Sequence, residues 1–234
     1  MKQKFIYICM LFASFALFSC SQEEEIYSCD EAVNDWVKDN LFDIQKMTRS
    51  DWLNLDENVK QAAYVAFTPE QKQTFWLEKM QEVLLLGWNE VEKVHLESLY
   101  KMILDNPQWF SLGFSENKHE LEKFELFTYK WVEYAKDDLE WDDILIFSIT
   151  VYKYKLLDKT GRLDINLATL TPSVRLKNGS EAVGEGGKVL RCNCIQANND
   201  CPNQNETCAQ YPKTCRHKYG CGYFSLGTCD GYCQ

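Results

Sequence analysis

The residues best suited to chemistry in this chain are eight cysteines that lie within its last 43 residues. They are Cys192, Cys194, Cys201, Cys208, Cys215, Cys221, Cys229 and Cys233. A segment this short buries too little apolar surface to fold alone, so cross-links or bound metal must stabilise it. Cys192-Asn193-Cys194 and Cys215-Arg216-His217 would each offer two metal ligands, but no Cys-x-x-Cys pair occurs. Disulfides and a metal cluster are therefore the two alternatives.

The N-terminus predicts export and a lipid anchor. Lys2 and Lys4 precede an apolar run over 5–18, which is typical of a secretory signal and too short to span a bilayer. Leu17-Phe18-Ser19-Cys20 resembles a bacterial lipobox, which implies cleavage after residue 19 and diacylation of Cys20. Several acyl chains on one residue would form a stable anchor. An ordinary signal peptide beside an incidental cysteine is the alternative.

The residues after this cysteine predict a location. Ser21-Gln22-Glu23-Glu24-Glu25 resembles the surface-export signal of lipoproteins in one gram-negative phylum. The alternative is a plain solvated tether, extended by like-charge repulsion. We therefore expect a protein of the gram-negative outer membrane that contacts the membrane through its lipid and is exposed on the cell surface.

Export decides between the two alternatives for the cysteines. An even set of eight in an oxidising compartment favours four disulfides, and we expect no bound metal. The pairing stays open because eight cysteines allow 105 connectivities. Cys29 is left over, either as a free thiol or in a bridge between modules or chains.

Charge divides the chain into two parts. The formal net charge is −10, of which residues 1–20 carry +2 and residues 188–234 carry +2, which leaves −14 for residues 21–187. An acidic body has no positive footprint for phosphates, so we expect no nucleic-acid partner. Charge alone would not attract it to anionic lipid either.

The acidic part predicts a mainly α domain. Apolar residues at helical spacing predict helices over 31–46, after Thr68, up to Asn106-Pro107, over 116–135 and over 144–157. The strongest start signal is Thr68-Pro69-Glu70-Gln71, which fits a capping box with proline at the first helical position. Asp142-Asp143 suits the start of the last helix. The central part of that predicted helix would also suit a strand.

No pattern in the sequence supports catalysis. His95 and His119 belong to no paired metal motif, and the neighbours Glu92, Lys93 and Glu97 are typical of a solvated helix face around His95. Nucleophile-elbow, phosphate-loop and dinucleotide motifs do not occur. We therefore expect neither enzymatic activity nor a cofactor. The seven tryptophans indicate core packing rather than a sugar-stacking surface.

Together these patterns predict a helical N-terminal domain, a flexible linker and a small disulfide-rich C-terminal module. The predicted segments are a signal peptide at 1–19, an acidic tether at 20–27, the helical domain at 28–159, the linker at 160–190 and the cysteine-rich module at 191–234. Within the linker, Gly186-Gly187 resembles the site at which bacteriocin leaders are cut, which would release 47 residues. A plain glycine linker is the alternative, because such leaders are short and lack a lipoprotein signal.

The C-terminal module is also aromatic and cationic. Its aromatic residues either form a contact surface with neighbouring cations or pack over the disulfides, and the sequence leaves both open. They are Tyr211, Tyr219, Tyr223, Phe224 and Tyr232.

Several segments resemble the bacteriocin fulvocin C-related lipoproteins. They are Ser28-Cys29-Asp30 through Trp36, Met47-Thr48-Arg49, Ala66-Phe67-Thr68-Pro69-Glu70-Gln71 and the tail with its eight cysteines. The resemblance covers most of the mature chain and implies a bacteriocin-related protein. On this basis we expect a bacteriocin-like tail with antibacterial action on a component of a target-cell surface. The alternative is a non-toxic surface lipoprotein whose tail contacts a glycan or a protein.

Overall fold

A computed structural model describes residues 25–28, 30–164, 207–210, 217–229 and 231–233. The predicted fold class is confirmed, because helices dominate the described residues while short strands and a disulfide form the C-terminal part. Several predicted sites and segments lie outside the described residues. These are the signal peptide with Cys20, Cys29, the linker from residue 165 onwards with Gly186 and Gly187, and Cys192, Cys194, Cys201 and Cys215.

The described elements are mostly helices. They are α1 Glu31–Asp39, α2 Leu41–Ile44, α3 Arg49–Leu53, α4 Glu57–Val65, α5 Pro69–Leu84, α6 Glu90–Asp105, α7 Lys118–Asp137 and α8 Asp143–Thr150. Short 3₁₀ turns lie at Pro107–Phe110, Phe114–Glu116 and Tyr223–Ser225. The strands are β1 Cys208–Gln210, β2 His217–Cys221, β3 Gly227–Cys229 and β4 Gly231–Cys233. Antiparallel pairing joins β1 to β4 and β2 to β3.

Local capping signals fix several helix ends where the sequence predicts them. The Thr68 hydroxyl accepts a hydrogen bond from the Gln71 N–H at 3.2 Å, and the Gln71 side chain accepts one from the Thr68 N–H at 3.0 Å. This reciprocal capping box begins α5. Helix α6 ends at Asp105, directly before Asn106-Pro107. Asp142 caps α8 by accepting from the Leu145 N–H at 2.8 Å.

Two predicted helices differ from the structure. The helix predicted over 144–157 ends at Thr150, and the prediction is wrong beyond that residue. The buried amino group of Lys79 donates to the carbonyl of Ser148 at 2.7 Å and to that of Tyr152, so a donor from another helix stabilises this helix end. The helix predicted over 31–46 is divided at Asn40, which separates α1 from α2.

Aromatic rings fill the core of the helical body, as the tryptophan pattern predicts. Trp52 and Phe75 pack edge to face with their ring centroids 5.1 Å apart, and Tyr64 lies 5.3 Å from Phe75. Edge-to-face pairs of this kind add to the stabilisation that apolar burial provides. Five of the seven tryptophans are buried, namely Trp52, Trp76, Trp109, Trp131 and Trp141.

The C-terminal segment contributes to this same core. Phe224 is 1% exposed, and its ring lies 5.3 Å from that of Trp76 on α5 and 6.2 Å from that of Phe124 on α7. Leu226 is also buried in the core. Packing against the helices is therefore a third source of stability for the tail, besides the cross-links and metal considered from the sequence.

We predict that Phe224→Ala lowers the free energy of unfolding by about 3–5 kcal/mol, because it leaves a cavity between Trp76 and Phe124. Urea denaturation of the oxidised chain would measure this loss. Phe42→Ala is the control, since Phe42 is 71% exposed, and it should change the free energy by about 0.5 kcal/mol or less. Equal effects of the two substitutions would contradict the packing role of Phe224.

Candidate functional site

A disulfide forms the base of the loop that carries Phe224. Cys221 and Cys229 are joined, with their Cα atoms 5.2 Å apart, and the seven residues between them, 222–228, are here called the docking loop. Both cysteines are buried. The cross-link restricts the loop in the unfolded chain and brings its ends together in the folded one. The strands β2 and β3 pair across the same base, with Cys221 opposite Gly227.

Polar contacts from the helical body satisfy the backbone of this region. The carbonyl oxygen of Gly220 accepts hydrogen bonds from Lys153 Nζ and from Gln61 Nε2, both at 2.8 Å. Tyr64 Oη donates to the carbonyl oxygen of Phe224 at 3.3 Å. Buried carbonyl groups require such donors, so these contacts determine where the loop docks.

Glycine is required at position 220. Its φ is +122°, a conformation that other residues rarely adopt, and an added Cβ would collide with Nε2 of Gln61. The absence of a side chain therefore allows the amide of Gln61 to reach the Gly220 carbonyl. This backbone approach joins β2 to α4.

The docking loop and α7 form the two walls of a groove with a volume of about 640 Å³. Gly222, Tyr223, Leu226, Gly227 and Thr228 line it from the loop side. The apolar side chains on the opposite wall come from α7 and the adjacent 3₁₀ turn, and they are Phe114, Leu121, Phe124 and Val132. The groove exists only while the tail is docked, because one wall belongs to each part of the chain.

The edge of the groove is acidic. Glu125, Glu133 and Asp137 line it, and the cation among its lining residues, Lys136, forms an ion pair with Asp143 at 2.5 Å. Tyr129, also on α7, is largely exposed, and its hydroxyl group donates a hydrogen bond to Glu133 at 3.0 Å. This arrangement combines an apolar floor with an excess of negative charge, which suits binding rather than proton transfer.

The prediction that His95 is solvated is wrong. His95 is only 8% exposed, and its ring stacks on Trp131 with a centroid distance of 4.4 Å and lies 4.9 Å from Tyr134. Burial lowers the pKa of His95 to about 4. Its Nε2 has no hydrogen-bond partner among the described residues. His119, the other histidine of the body, has an exposed side chain. The structure thus places the two histidines in different environments.

The sequence prediction of disulfides is tested at three of the eight cysteines. Cys221 and Cys229 form one bridge, and Cys208 is also disulfide-bonded. Cys233 lies in β4, opposite Cys208 in the strand register. Within the described part of the chain, no cluster of three or more histidine, cysteine, aspartate or glutamate residues could hold a metal ion.

The groove is the feature that sequence reasoning missed. The helical stripe on α7 was visible, since Leu121, Phe124, Thr128 and Val132 recur at helical spacing. The opposite wall had a weaker signal, the apolar Tyr223-Phe224-Ser225-Leu226 between two cysteines. The sequence predicts Phe224 either on a contact surface or packed over the disulfides. The structure instead buries it against the helical body.

Comparisons of the chain with protein-family models, with curated proteins and with solved structures give no match. The resemblance to the fulvocin C-related lipoproteins therefore stays a prediction. None of the described helices combines the length and apolar character that crossing a bilayer requires.

We predict that replacing both bridge cysteines, Cys221→Ser with Cys229→Ser, lowers the free energy of unfolding by about 2–4 kcal/mol, because the unfolded loop is no longer restricted. The docking loop should also become sensitive to limited proteolysis at low protease concentration. Denaturation midpoints and mass mapping of the first cut would measure both effects. An unchanged midpoint and an unchanged first cut would contradict the role of the bridge.

We predict that His95 makes the protein less stable as the pH falls from about 6.5 to about 4. The unfolded chain binds a proton there that the folded chain does not, so acid favours unfolding by up to about 3 kcal/mol. Denaturation between pH 7 and pH 4.5 would show this slope, and His95→Phe should remove most of it. His119→Gln is the control with an exposed imidazole and should keep the slope. A slope that survives His95→Phe would contradict the assignment.

Proposed function

We propose that this protein is a lipid-anchored surface lipoprotein that acts as a binding protein, with the cysteine-rich tail and the helical body together forming its binding site. The observation that carries this proposal is the burial of Phe224 between Trp76 and Phe124. A tail whose side chain completes the core of the body works as part of that body. The groove between them is then the site that the two parts build together.

The start of the described chain supports attachment close to the anchor. Tyr27 is buried, its N–H donates to Asn34 at 2.9 Å, and its hydroxyl donates to Glu25 at 2.7 Å. The residues from Glu25 onwards thus lie on the helical body. Under the proposed lipidation of Cys20, five residues span at most about 17 Å between the lipid and Glu25. The helical body would then be held close to the membrane surface.

An antibacterial lipoprotein is the second candidate. It is favoured by the cationic, cysteine-rich tail behind Gly186-Gly187, which would be released by cleavage. Its difficulty is physical, since release would move Phe224 and Leu226 from the core into water. Transfer of two such side chains costs roughly 3–6 kcal/mol before any loss of hydrogen bonds. A peptide cut from the linker would therefore tend to stay on the body.

We predict that the native protein is found intact in the membrane fraction, with lipid on Cys20 and with oxidised tail cysteines. Mass spectrometry of membranes and medium, together with surface labelling of whole cells, would measure the anchor, the chain length and the exposure. A Cys20→Ser variant should leave the membrane fraction while its fold is unchanged, because it lacks the acylated residue.

The antibacterial candidate leads to a different result. It requires a fragment beginning at Lys188 in the medium, and growth inhibition of related bacteria by the oxidised fragment at micromolar concentration. Finding both would overturn the proposed binding function. Finding the intact chain on the surface and an inactive fragment would support it.

A further inference from the structure

We propose that the groove between α7 and the docking loop binds a short cationic peptide segment that carries a large apolar side chain. This inference rests on the proposed binding function and adds the chemical class of the partner. It follows from the size of the groove, from its apolar floor and from the placement of its charges.

The dimensions of the groove suit one anchoring side chain and the backbone around it. Its volume of about 640 Å³ lies within the range of about 300–1,000 Å³ that is usual for ligand sites. Leu121 and Val132 on α7 line it, as does Leu226 of the docking loop. Burial of a leucine or phenylalanine from a partner against these groups would favour binding, because it removes apolar surface from water.

The charges around this floor favour a cation. The carboxylates of Glu125, Glu133 and Asp137 line the groove, while the ammonium of Lys136 is already paired with Asp143. The first and last of these acidic positions are twelve steps apart on α7, which is about 18 Å along the helix axis. An extended peptide of about six residues has the same length, so several lysine or arginine side chains can each lie near a carboxylate.

Tyr129 adds a second attraction for cations. It is 63% exposed, and its hydrogen bond to Glu133 restrains the position of its hydroxyl group. A lysine or arginine over the ring face would gain a cation–π contact there. Neighbouring carboxylates strengthen the same preference.

Other partner classes fit this surface less well. A glycan would place hydroxyl groups against an apolar floor where they lose hydrogen bonds to water. An anionic peptide or a phosphate would meet three carboxylates at close range. The groove therefore discriminates by charge as well as by shape.

The test uses the intact mature chain, purified with its disulfides oxidised. The probe is a fluorescein-labelled, end-capped hexapeptide with two leucines, one phenylalanine and three lysines, titrated in a fluorescence anisotropy assay. We expect saturable binding that weakens as salt rises, because exposed charges are screened. Two comparison peptides, with glutamates for the lysines or with serines for the apolar residues, should bind at least about tenfold more weakly, since each loses one of the two attractions.

Variants in the groove sharpen this test. Glu125→Gln with Glu133→Gln should weaken binding about tenfold, since two exposed ion pairs of modest strength are lost. Val132→Lys, which adds a cation to the floor, should weaken it further. The matched control is Asp35→Asn with Asp39→Asn, which changes the net charge equally at two exposed positions of α1 and should keep the affinity within about twofold. Thermal melts should show that all variants remain folded.

Several outcomes would overturn the inference. Equal binding of the glutamate peptide, an equal loss in the α1 control, or no saturable binding would each exclude a cationic peptide site. Sedimentation that reveals a dimer abolished by Val132→Lys would assign the groove to a second copy of the chain. Competition by neutral oligosaccharides would assign it to a glycan. All these results are independent of whether the chain is intact on the cell surface, which is the test of the proposed function.

Discussion

The position of the Phe224 ring between Trp76 and Phe124 is the interaction on which the rest of this structure depends. The docking loop has only seven residues between its bridged cysteines, too few for a core of its own. It becomes ordered because its apolar side chains enter a core that the helices have already largely built. The disulfide reduces the entropy lost when the loop closes, and the aromatic contacts supply the attraction that holds it on the body.

Buried basic side chains provide the polar part of the same arrangement. Around the end of α8, several backbone carbonyl groups accept hydrogen bonds from buried basic side chains. Lys79 donates to the carbonyls of Ser148 and Tyr152, and Arg49 donates to the carbonyl of Lys153 at 2.6 Å. Lys153 in turn donates to Gly220. These three basic side chains are buried, so the surface of an already acidic body carries a larger excess of carboxylates than its composition suggests.

Long-range contacts mark the limit of what the sequence predicts here. The capping box at Thr68 and the stop before Pro107 were predictable because all the interacting groups lie within one turn. The burial of His95 was not predictable, because the rings that cover it, Trp131 and Tyr134, belong to a later helix. The end of α8 likewise depends on Lys79, a donor from another helix.

The candidate site shows the same division between local and distant information. The α7 wall could be read from the periodicity of that helix, as could the acidic character of the body. The position of the docking loop could not, since Tyr64 and the carbonyl of Phe224 are 160 residues apart in the chain. The number and spacing of cysteines indicate that they will pair. They do not predict which distant surface the resulting loop will contact.

The proposed export and the proposed binding site are physically linked through the disulfide. The docking loop presents its groove wall when the bond between Cys221 and Cys229 is formed, and such bonds persist in oxidising surroundings. Under the proposed export, the groove would therefore form only after the chain has left the cytoplasm. The short connection to the proposed lipid then limits the partners to those that reach the membrane surface. A cationic segment is the kind of partner that an acidic surface attracts there, and salt screening would tune this attraction without any change in the fold.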